Sequence, residues 1–372
     1  MKQVCLMCGR GADDRNLYCQ EAACPAEKSP LIFEHGEKLA DIEILKPVIV
    51  LRASTIYKAN WQNKLVYLKI AHEGQKHTTR LKREAILLQT VTEPDLYFLP
   101  HLQLPYPGAK EPYGQVVVQN QLLFYYIFDY VEGEPLSEVL ARNPQPWIYH
   151  TCSIVSDLAS SISLLQSLGV CHLALNPEMV LVNFSATRGS ETVSPTSTRK
   201  PEVATILLLD LGIATLQAEA SGQWYPGISH PAYTAPELLN EAYPSVSYRT
   251  DVYGLGLILY EMLIGQPAYP ARLLDDKALI RVVREGKPVP MNRNKDVSPV
   301  AGIAEKAIRP DPNSRQAHAS ELSQNLKSTF KKIPSEKEVW WRKTDVLLKI
   351  AIGLFTAAFF IFLIFVTVSL LS

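Results

Sequence analysis

Four cysteines crowd the first 24 residues of the 372-residue chain, and their spacing is typical of a metal-binding module. They form a C-x2-C pair and a C-x4-C pair separated by ten residues, namely Cys5, Cys8, Cys19 and Cys24. Two close pairs of thiolates can surround one tetrahedral Zn²⁺ ion, and four thiolates leave no coordination position open for water. We therefore predict a structural four-cysteine zinc finger, a small ribbon or knuckle, over residues 1–30.

Disulfide bonds are the alternative explanation for this cluster. The cytosolic location predicted below argues against disulfides, because that compartment keeps thiols reduced. The other two cysteines, Cys152 and Cys171, lie in apolar stretches, and we interpret them as packing residues rather than ligands or nucleophiles. Zn²⁺ is thus the cofactor that the cysteines predict.

Residues 350–371 carry no formal charge. As a helix they would span about 33 Å, and the hydrocarbon core of a bilayer is about 30 Å thick. Six basic residues precede this segment and none follows it: Lys331, Lys332, Lys337, Arg342, Lys343 and Lys349. We expect a single-pass, tail-anchored membrane protein with a basic linker at 331–349 and a transmembrane helix at 350–371. The positive-inside rule then places the N-terminal bulk in the cytoplasm.

The elements between these two ends follow the order strands, helix, strands and then mainly helices. Short β-type runs alternate up to about residue 130, interrupted by one helical pattern from Thr79 to Val91. Such segregation predicts an α+β fold with two lobes, a small one at about 40–130 and a large one at about 131–330. Residues 185–204 are polar and lack periodicity, so we expect a disordered insertion there. Lys plus Arg equals Asp plus Glu, at 37 each, and we expect no nucleic-acid partner.

Several stretches in fixed order over residues 40–330 resemble the motifs of the protein kinase superfamily, in particular of Ser/Thr kinases. The stretches are VYLK at 66–69, FDYVEGEPL at 128–136, HLALNPEMVLV at 172–182, DLG at 210–212, APE at 235–237, DVYGLGLILYEMLIGQPAY at 251–269 and RPDPNSR at 309–315. The resemblance implies the two-lobed protein-kinase-like fold. It also implies a remnant of a nucleotide site at Lys69, Glu84 and Asp210. The structural residues that it implies are His172, Glu237, Asp251 and Arg315.

The departures from the family pattern remove named catalytic roles. Kinases have an aspartate that accepts the substrate proton, and this chain has Ala174 at that position. The loop lysine that helps to neutralise the phosphoryl group is replaced by Asn176. The asparagine that holds a second Mg²⁺ ion is replaced by Met179, whose thioether is a poor ligand for a hard cation. The threonine that precedes A-P-E in Ser/Thr kinases is replaced by His230. We therefore interpret the chain as a catalytically degraded pseudokinase.

Nucleotide binding is affected as well. The three glycines that would let backbone N–H groups approach the phosphates are replaced by Ile49, Leu51 and Ser54. The small residue that packs on adenine in kinases is replaced by Tyr67. The loop arginine that binds an activation-loop phosphate is replaced by Leu173. Two interpretations of Lys69, Glu84 and Asp210 remain, a remnant ATP site or an internal salt-bridge network. These losses argue against ATP and Mg²⁺ as working cofactors.

The first functional hypothesis is a membrane-anchored pseudokinase that faces the cytosol and acts as a scaffold or regulator. Its partner would be a protein at the membrane surface, and another kinase is one candidate. An atypical Ser/Thr kinase that uses Lys69 and Asp210 is the second hypothesis. A sensor that binds a nucleotide or metabolite without turnover is the third.

Overall fold

The computed structural model describes residues 2–5, 11–12, 30–90, 98–184, 205–211, 213–217, 230–239, 246–269, 276–291 and 297–330. The strands in this part are β1 Lys2–Val4, β2 Gly11–Ala12, β3 Leu31–Ile32, β4 Lys38–Leu39, β5 Ile42–Val50, β6 Ser54–Trp61, β7 Lys64–Ala71, β8 Leu102–Gln103, β9 Gly114–Val118, β10 Gln121–Asp129, β11 Glu134–Pro135, β12 Val170–Cys171, β13 Val180–Asn183, β14 Thr205–Leu208 and β15 Thr215–Leu216. The helices are α1 Gln75–Thr90, α2 Leu136–Arg142, α3 Ile148–Ser167, α4 Tyr248–Ile264, α5 Asp276–Glu285, α6 Ser298–Ala307 and α7 Ala319–Phe330.

The small lobe is an antiparallel sheet with the strand order β4-β5-β6-β7-β10-β8, and β9 also pairs with β10. Successive side chains of a strand point to opposite faces of the sheet. In β7, Leu68 packs into a hydrophobic core with Tyr57 of β6 and Ile127 of β10. Its neighbours Tyr67 and Lys69 point to the other face, on the side of the cleft and helix α1.

Two-residue turns set the register of two hairpins in this sheet. Gln62 and Asn63 join β6 to β7 with φ values of 50° and 62°, and Gln119 and Asn120 join β9 to β10 with φ values of 50° and 67°. Positive φ at both turn residues is the type I′ geometry that matches the twist of paired strands. The turns therefore hold Lys64–Ala71, which carries Lys69, in a fixed position in the sheet.

The core of the small lobe begins before residue 40, the boundary that the sequence suggested. Ile32, Phe33 and Leu39 are buried in the same core as Tyr57. The backbone N–H of Phe33 donates a 3.0 Å hydrogen bond to the Tyr57 hydroxyl, and the two rings meet edge to face at 6.0 Å. Strands β3, β1 and β2 form a separate three-stranded sheet with β1 in the middle. The segment from β3 onward is therefore part of the small lobe.

The large lobe is mostly helical and is organised around α4, which is buried along nearly its whole length. A capping box formed by Ser247 and Thr250 starts α4, and Gly265 ends it with a left-handed φ of 81°. Helix α4 packs against α3 and α6. A Cβ atom at Gly256 would lie 2.5 Å from the Cβ of Ala307 in α6, so this crossing requires glycine.

These elements confirm the predicted two-lobed, kinase-like α+β fold, and residues Met1–Ser328 form one compact unit that contains both lobes. The predicted insertion at 185–204 links β13 to β14 and lies outside the described residues. In the ranges that the structure describes, no helix is long and apolar enough to cross a bilayer. The predicted linker at 331–349 and transmembrane helix at 350–371 fall outside those ranges.

Candidate functional site

Four charged side chains meet in the cleft between the lobes, and all are almost fully buried. Lys69 of β7 donates to both carboxylate oxygens of Glu84 of α1, at 2.8 and 2.7 Å. The same ammonium lies 3.0 Å from Oδ1 of Asp210, which follows β14. The guanidinium of Arg80 donates to both oxygens of Asp210 at 3.1 Å. We call Lys69, Arg80, Glu84 and Asp210 the four-charge cluster, and its formal charges sum to zero.

Helix α1 contributes two members of the cluster because Arg80 and Glu84 are four residues apart. Side chains at this spacing lie on the same face of a helix. That face is buried, together with Leu81, Ala85 and Leu88. The sequence analysis did not select Arg80, since it lies outside the kinase-like motifs. Its spacing from Glu84 was the available signal.

The pKa values of the two carboxyl groups in the cluster are shifted in opposite directions. Burial alone raises the pKa of a carboxyl group, whereas a neighbouring cation lowers it. For Asp210, the nearby Arg80 guanidinium and Lys69 ammonium outweigh burial and hold the pKa well below its usual value. For Glu84, burial has the larger effect, and its pKa is raised despite the opposing Lys69. Asp210 is therefore the firmly ionised carboxylate, and both cations contact it.

The loop that follows β12 is held in place by His172 and Asp251. The Asp251 carboxylate, on α4, accepts the backbone N–H of His172 at 3.0 Å and that of Leu173 at 2.8 Å. The His172 ring contacts the carbonyl oxygen of Asp210 through Nε2 at 2.8 Å and accepts the Ala174 N–H at Nδ1 at 3.3 Å. Leu173 has a φ of 67°, a costly conformation for a leucine. The strained loop is kept although Ala174 offers only a methyl group.

The other positions that depart from the kinase pattern also make structural contacts. Met179 is buried, as is Ala174. The side-chain oxygen of Asn176 accepts the backbone N–H of Glu178 at 2.8 Å and caps the short helical turn Pro177–Met179. His230 caps the turn Pro231–Tyr233 in the same way, through Nδ1 at 3.2 Å.

Tyr67 fills the place where the family resemblance implies a small residue beside adenine. Its ring is buried between Phe128 and Tyr130, with centroid distances of 5.2 and 5.1 Å. Its hydroxyl donates a 2.7 Å hydrogen bond to the carbonyl oxygen of Val131, in the segment that links the lobes. Lys58 of β6 closes the same corner by donating to the Tyr130 hydroxyl at 3.1 Å.

A small cavity remains beside Asp210, with a free volume of about 10 Å³. This is room for about one water molecule. Its polar lining comes from Arg52, Asn176, Glu178, Asp210 and His230. Burial raises the pKa of Glu178, and the charge of Arg52 partly opposes that effect. Glu178 is thus the second acidic residue that lines this cavity, beside Asp210, and the sequence analysis did not identify it.

These residues do not fit an ATP–Mg²⁺ complex. Tyr67 lies where the resemblance implies a small residue beside the base. The turn between β5 and β6, residues 51–53, contains no glycine that would let the backbone approach phosphates. Both oxygens of Asp210 already bind Arg80. The buried thioether of Met179 is no substitute for an oxygen ligand.

Glu237 and Arg315 form a bidentate pair in the large lobe, at 2.8 and 2.9 Å. Arg315 also donates to the carbonyl oxygens of Arg309, Arg249 and Pro310. These bonds connect the A-P-E segment to the segment around Arg315, and their role is structural.

Leu173 packs its side chain into an apolar cluster with Cys171 and Leu238. Ile213 and Tyr248 pack against the same cluster. Leu216 of β15 pairs with Val170 of β12, so the segment after DLG is joined to this region by a strand pair. Leu173, at the position where the family has a phosphate-binding arginine, thus packs against apolar side chains.

Of the four predicted zinc ligands, the structure describes only Cys5, which is buried next to the end of β1. Cys8, Cys19 and Cys24 lie outside the described residues. Val4 pairs with Gly11, so residues 5–10 connect the two strands of a hairpin. In the described part of the chain, no group of three or more His, Cys, Asp or Glu side chains could hold a metal ion.

Comparisons with known proteins agree with this geometry. The chain is 24% identical over 219 residues to the serine/threonine-protein kinase PknB of Mycolicibacterium smegmatis, covering 57% of this chain and 31% of that protein. It is 27% identical over 236 residues to PknD of Chlamydia felis (59% and 24% covered) and 24% identical over 260 residues to mitogen-activated protein kinase 12 of Oryza sativa subsp. japonica (69% and 39%). The aligned part therefore spans only a quarter to two fifths of these relatives.

The sequence profile of the family described as protein kinase domain matches residues 54–328, well over half of the chain. This range contains the four-charge cluster, the loop at His172–Ala174 and the Glu237–Arg315 pair. The chain belongs to the protein kinase domain family.

Proposed function

We propose that this protein is a pseudokinase, tethered to a membrane with its kinase-fold domain in the cytosol, that regulates or scaffolds a protein partner. The observation that carries this proposal is Ala174. The loop around it is held by Asp251 and His172 as in a working site, yet the position of the proton acceptor carries a methyl group. A methyl group cannot orient or deprotonate a substrate hydroxyl.

The packing of the described residues in the cleft supports the same proposal. The Tyr67 hydroxyl bonds Val131, and the cavity beside Asp210 has room for about one water molecule. A fold that keeps its lobes and structural ion pairs without this chemistry is suited to binding another protein. An active kinase is one candidate partner.

The decisive experiment tests phosphotransfer and nucleotide binding on one preparation of the full-length chain in detergent. Radiolabelled ATP with Mg²⁺ or Mn²⁺ and generic protein substrates should give no transfer above that of the Lys69→Met variant. ATP should also leave the melting temperature unchanged. A ligand at about 100 times its Kd would stabilise the fold by about 2.7 kcal/mol. Transfer that disappears in Lys69→Met and Asp210→Asn would overturn the proposal.

Glu178 favours one alternative, an atypical Ser/Thr kinase. Glu178 lines the same cavity as Asp210, and burial raises its pKa, which favours proton uptake by its carboxylate. In that case Glu178→Gln would abolish transfer, whereas Ala174→Gly would leave it unchanged. A melting shift with ATP but no transfer would instead indicate a nucleotide sensor.

The zinc finger and the membrane anchor are separate parts of the proposal, supported by the cysteine spacing and by the uncharged segment 350–371. Metal analysis should give one Zn²⁺ per chain in the wild type and none after Cys5→Ser and Cys8→Ser are combined. Removal of residues 350–371 should release the protein from the membrane fraction. Retention of either property in its variant would remove that part of the proposal.

A further inference from the structure

Asp210 obtains its counter-charges from the protein itself. Oδ1 lies 3.0 Å from the Lys69 ammonium and 3.1 Å from the Arg80 guanidinium, and Oδ2 lies 3.1 Å from the same guanidinium. These side chains are only 2–9% exposed. Both oxygens that could face a metal ion are therefore engaged by a cation of this chain.

A divalent ion and Arg80 cannot share this position. Mg²⁺ binds carboxylate oxygens at about 2.0–2.1 Å, and a guanidinium cannot lose its proton to make way for it. The four-charge cluster is formally neutral with Arg80 present. An added dication would leave two uncompensated positive charges in a buried site, which is strongly unfavourable.

Arg80 also connects the two lobes. It extends from α1 in the small lobe to Asp210, next to β14 of the large lobe. Glu84, one turn further along α1, accepts the backbone N–H of Leu211 at 2.8 Å. Helix α1 thus contacts two consecutive residues, Asp210 and Leu211, through two of its own side chains.

We propose that Arg80 is the resident cation of the cleft, where its guanidinium takes the place of a divalent metal ion at Asp210 and holds α1 against the segment after β14 without nucleotide. This inference rests on the proposed non-catalytic function, because a working kinase would need the metal there. It adds a mechanism that keeps the two lobes in a ligand-independent arrangement.

Mn²⁺ binding to the full-length protein, measured by electron paramagnetic resonance without nucleotide and after zinc loading, tests the metal replacement. The wild type should show no site at Asp210. Arg80→Met keeps the length of the side chain but leaves the cluster with one net negative charge. It should bind Mn²⁺ at least roughly tenfold more tightly than the wild type. Arg83→Met, on the exposed side of the same helix, should behave as the wild type.

Thermal unfolding tests the connection between the lobes. Arg80→Met should lower the melting temperature by roughly 5 °C or more, and Mn²⁺ should restore part of this loss. Adding Asp210→Asn to Arg80→Met removes both charges, so this double variant should be more stable than Arg80→Met and should not respond to Mn²⁺. If Arg80→Met does not fold, recovery of folding in the double variant supports the proposal, and equal failure of both overturns it.

Two other results would overturn this inference. One is equal Mn²⁺ affinity in the wild type and Arg80→Met, and the other is an unchanged melting temperature in Arg80→Met. Neither result restores a proton acceptor at Ala174, so the proposed function would stand. Phosphotransfer by the wild type would instead remove the proposed function itself.

Discussion

The hydroxyl of Tyr67 donates a 2.7 Å hydrogen bond to the carbonyl oxygen of Val131, so a small-lobe side chain closes the corner where an adenine base would enter. The phenol ring packs between Phe128 and Tyr130. One tyrosine thus supplies both the stacking surface and the polar contact that a bound base would otherwise make. Under the proposed function, this residue of β7 would exclude a base from the corner.

Tyr67→Ala should open this corner. Removal of a buried aromatic ring costs about 3–5 kcal/mol of unfolding free energy, measured by urea denaturation. The vacated space should admit adenosine, which carries no phosphate and so does not depend on the four-charge cluster. Calorimetric titration should therefore detect adenosine binding to Tyr67→Ala and not to the wild type. Tyr67→Phe keeps the ring and should lose only about 1 kcal/mol with no gain in binding. Adenosine binding to the wild type would contradict occlusion.

The motifs predicted more of the site than local patterns could have done. Their spacing selected Lys69, Glu84 and Asp210, and the structure brings these three side chains together. Arg80 was missed because its contact with Asp210 joins residues 130 positions apart, and a lone arginine on a helix has no local signature. The hydroxyl bond of Tyr67 was missed for the same reason. A sequence can indicate a bulky ring, but only the fold supplies its partner.

The start of the small lobe was harder to predict. Strands β3 and β4 have two residues each, which is too short for a periodic pattern. Ile32 and Phe33 are buried because they pack against Tyr57 and its neighbours, not because of their own sequence context. The matched family region begins only at residue 54, so the resemblance did not indicate this extension either.

Phe33→Ala should test whether this extension stabilises the kinase-like domain. Phe33 is 3% exposed and its neighbour Leu31 is 40% exposed, so the two positions form a matched pair. Loss of the Phe33 ring should lower the unfolding free energy by about 3–5 kcal/mol, because it leaves a cavity beside Tyr57. Leu31→Ala should change it by less than about 0.5 kcal/mol. Similar values for the two variants in urea denaturation would show that the extension is not part of the core.

Arg315→Met should reveal how strongly the Glu237 pair holds the large lobe. Arg315 is fully buried, and its loss leaves the Glu237 carboxylate without its bidentate partner. Breaking such a pair from one side costs about 3–5 kcal/mol. Arg142→Met breaks a surface pair with Glu134 and should cost about 1 kcal/mol or less. Chemical denaturation of both variants makes the comparison, and equal losses would mean that burial does not strengthen the Arg315 contact.

The stability of the fold should depend on pH through His172. Burial is the main cause that lowers the pKa of His172 to about 4, from an ordinary value of about 6.5 in the unfolded chain. Between these values the unfolded chain binds more protons than the folded one. The contribution of neutral His172 is therefore fully present above pH 6.5 and is lost as the pH falls toward 4. The full loss is about 3 kcal/mol.

Asp251 acts in the opposite direction in part of the same window. Burial raises its pKa to about 6, partly opposed by hydrogen bonds from the Leu173 and His172 backbones. Between about pH 4 and 6 the folded state holds this proton more strongly, so the contribution of Asp251 decreases as the pH rises. The pH profile of the wild type alone is the sum of the two effects, and a variant is needed to separate them.

His172→Phe keeps a buried ring at this position but removes the titrating group. The unfolding free energy of the wild type minus that of His172→Phe should rise by about 1 kcal/mol per pH unit between pH 4.5 and 6, because the unfolded chain binds most of one additional proton there. Leu88→Ala, a non-titrating change at another buried position, should give a curve parallel to the wild type. Guanidinium denaturation at several pH values provides both comparisons. A difference between wild type and His172→Phe that stays constant with pH would show that His172 is not held neutral by burial.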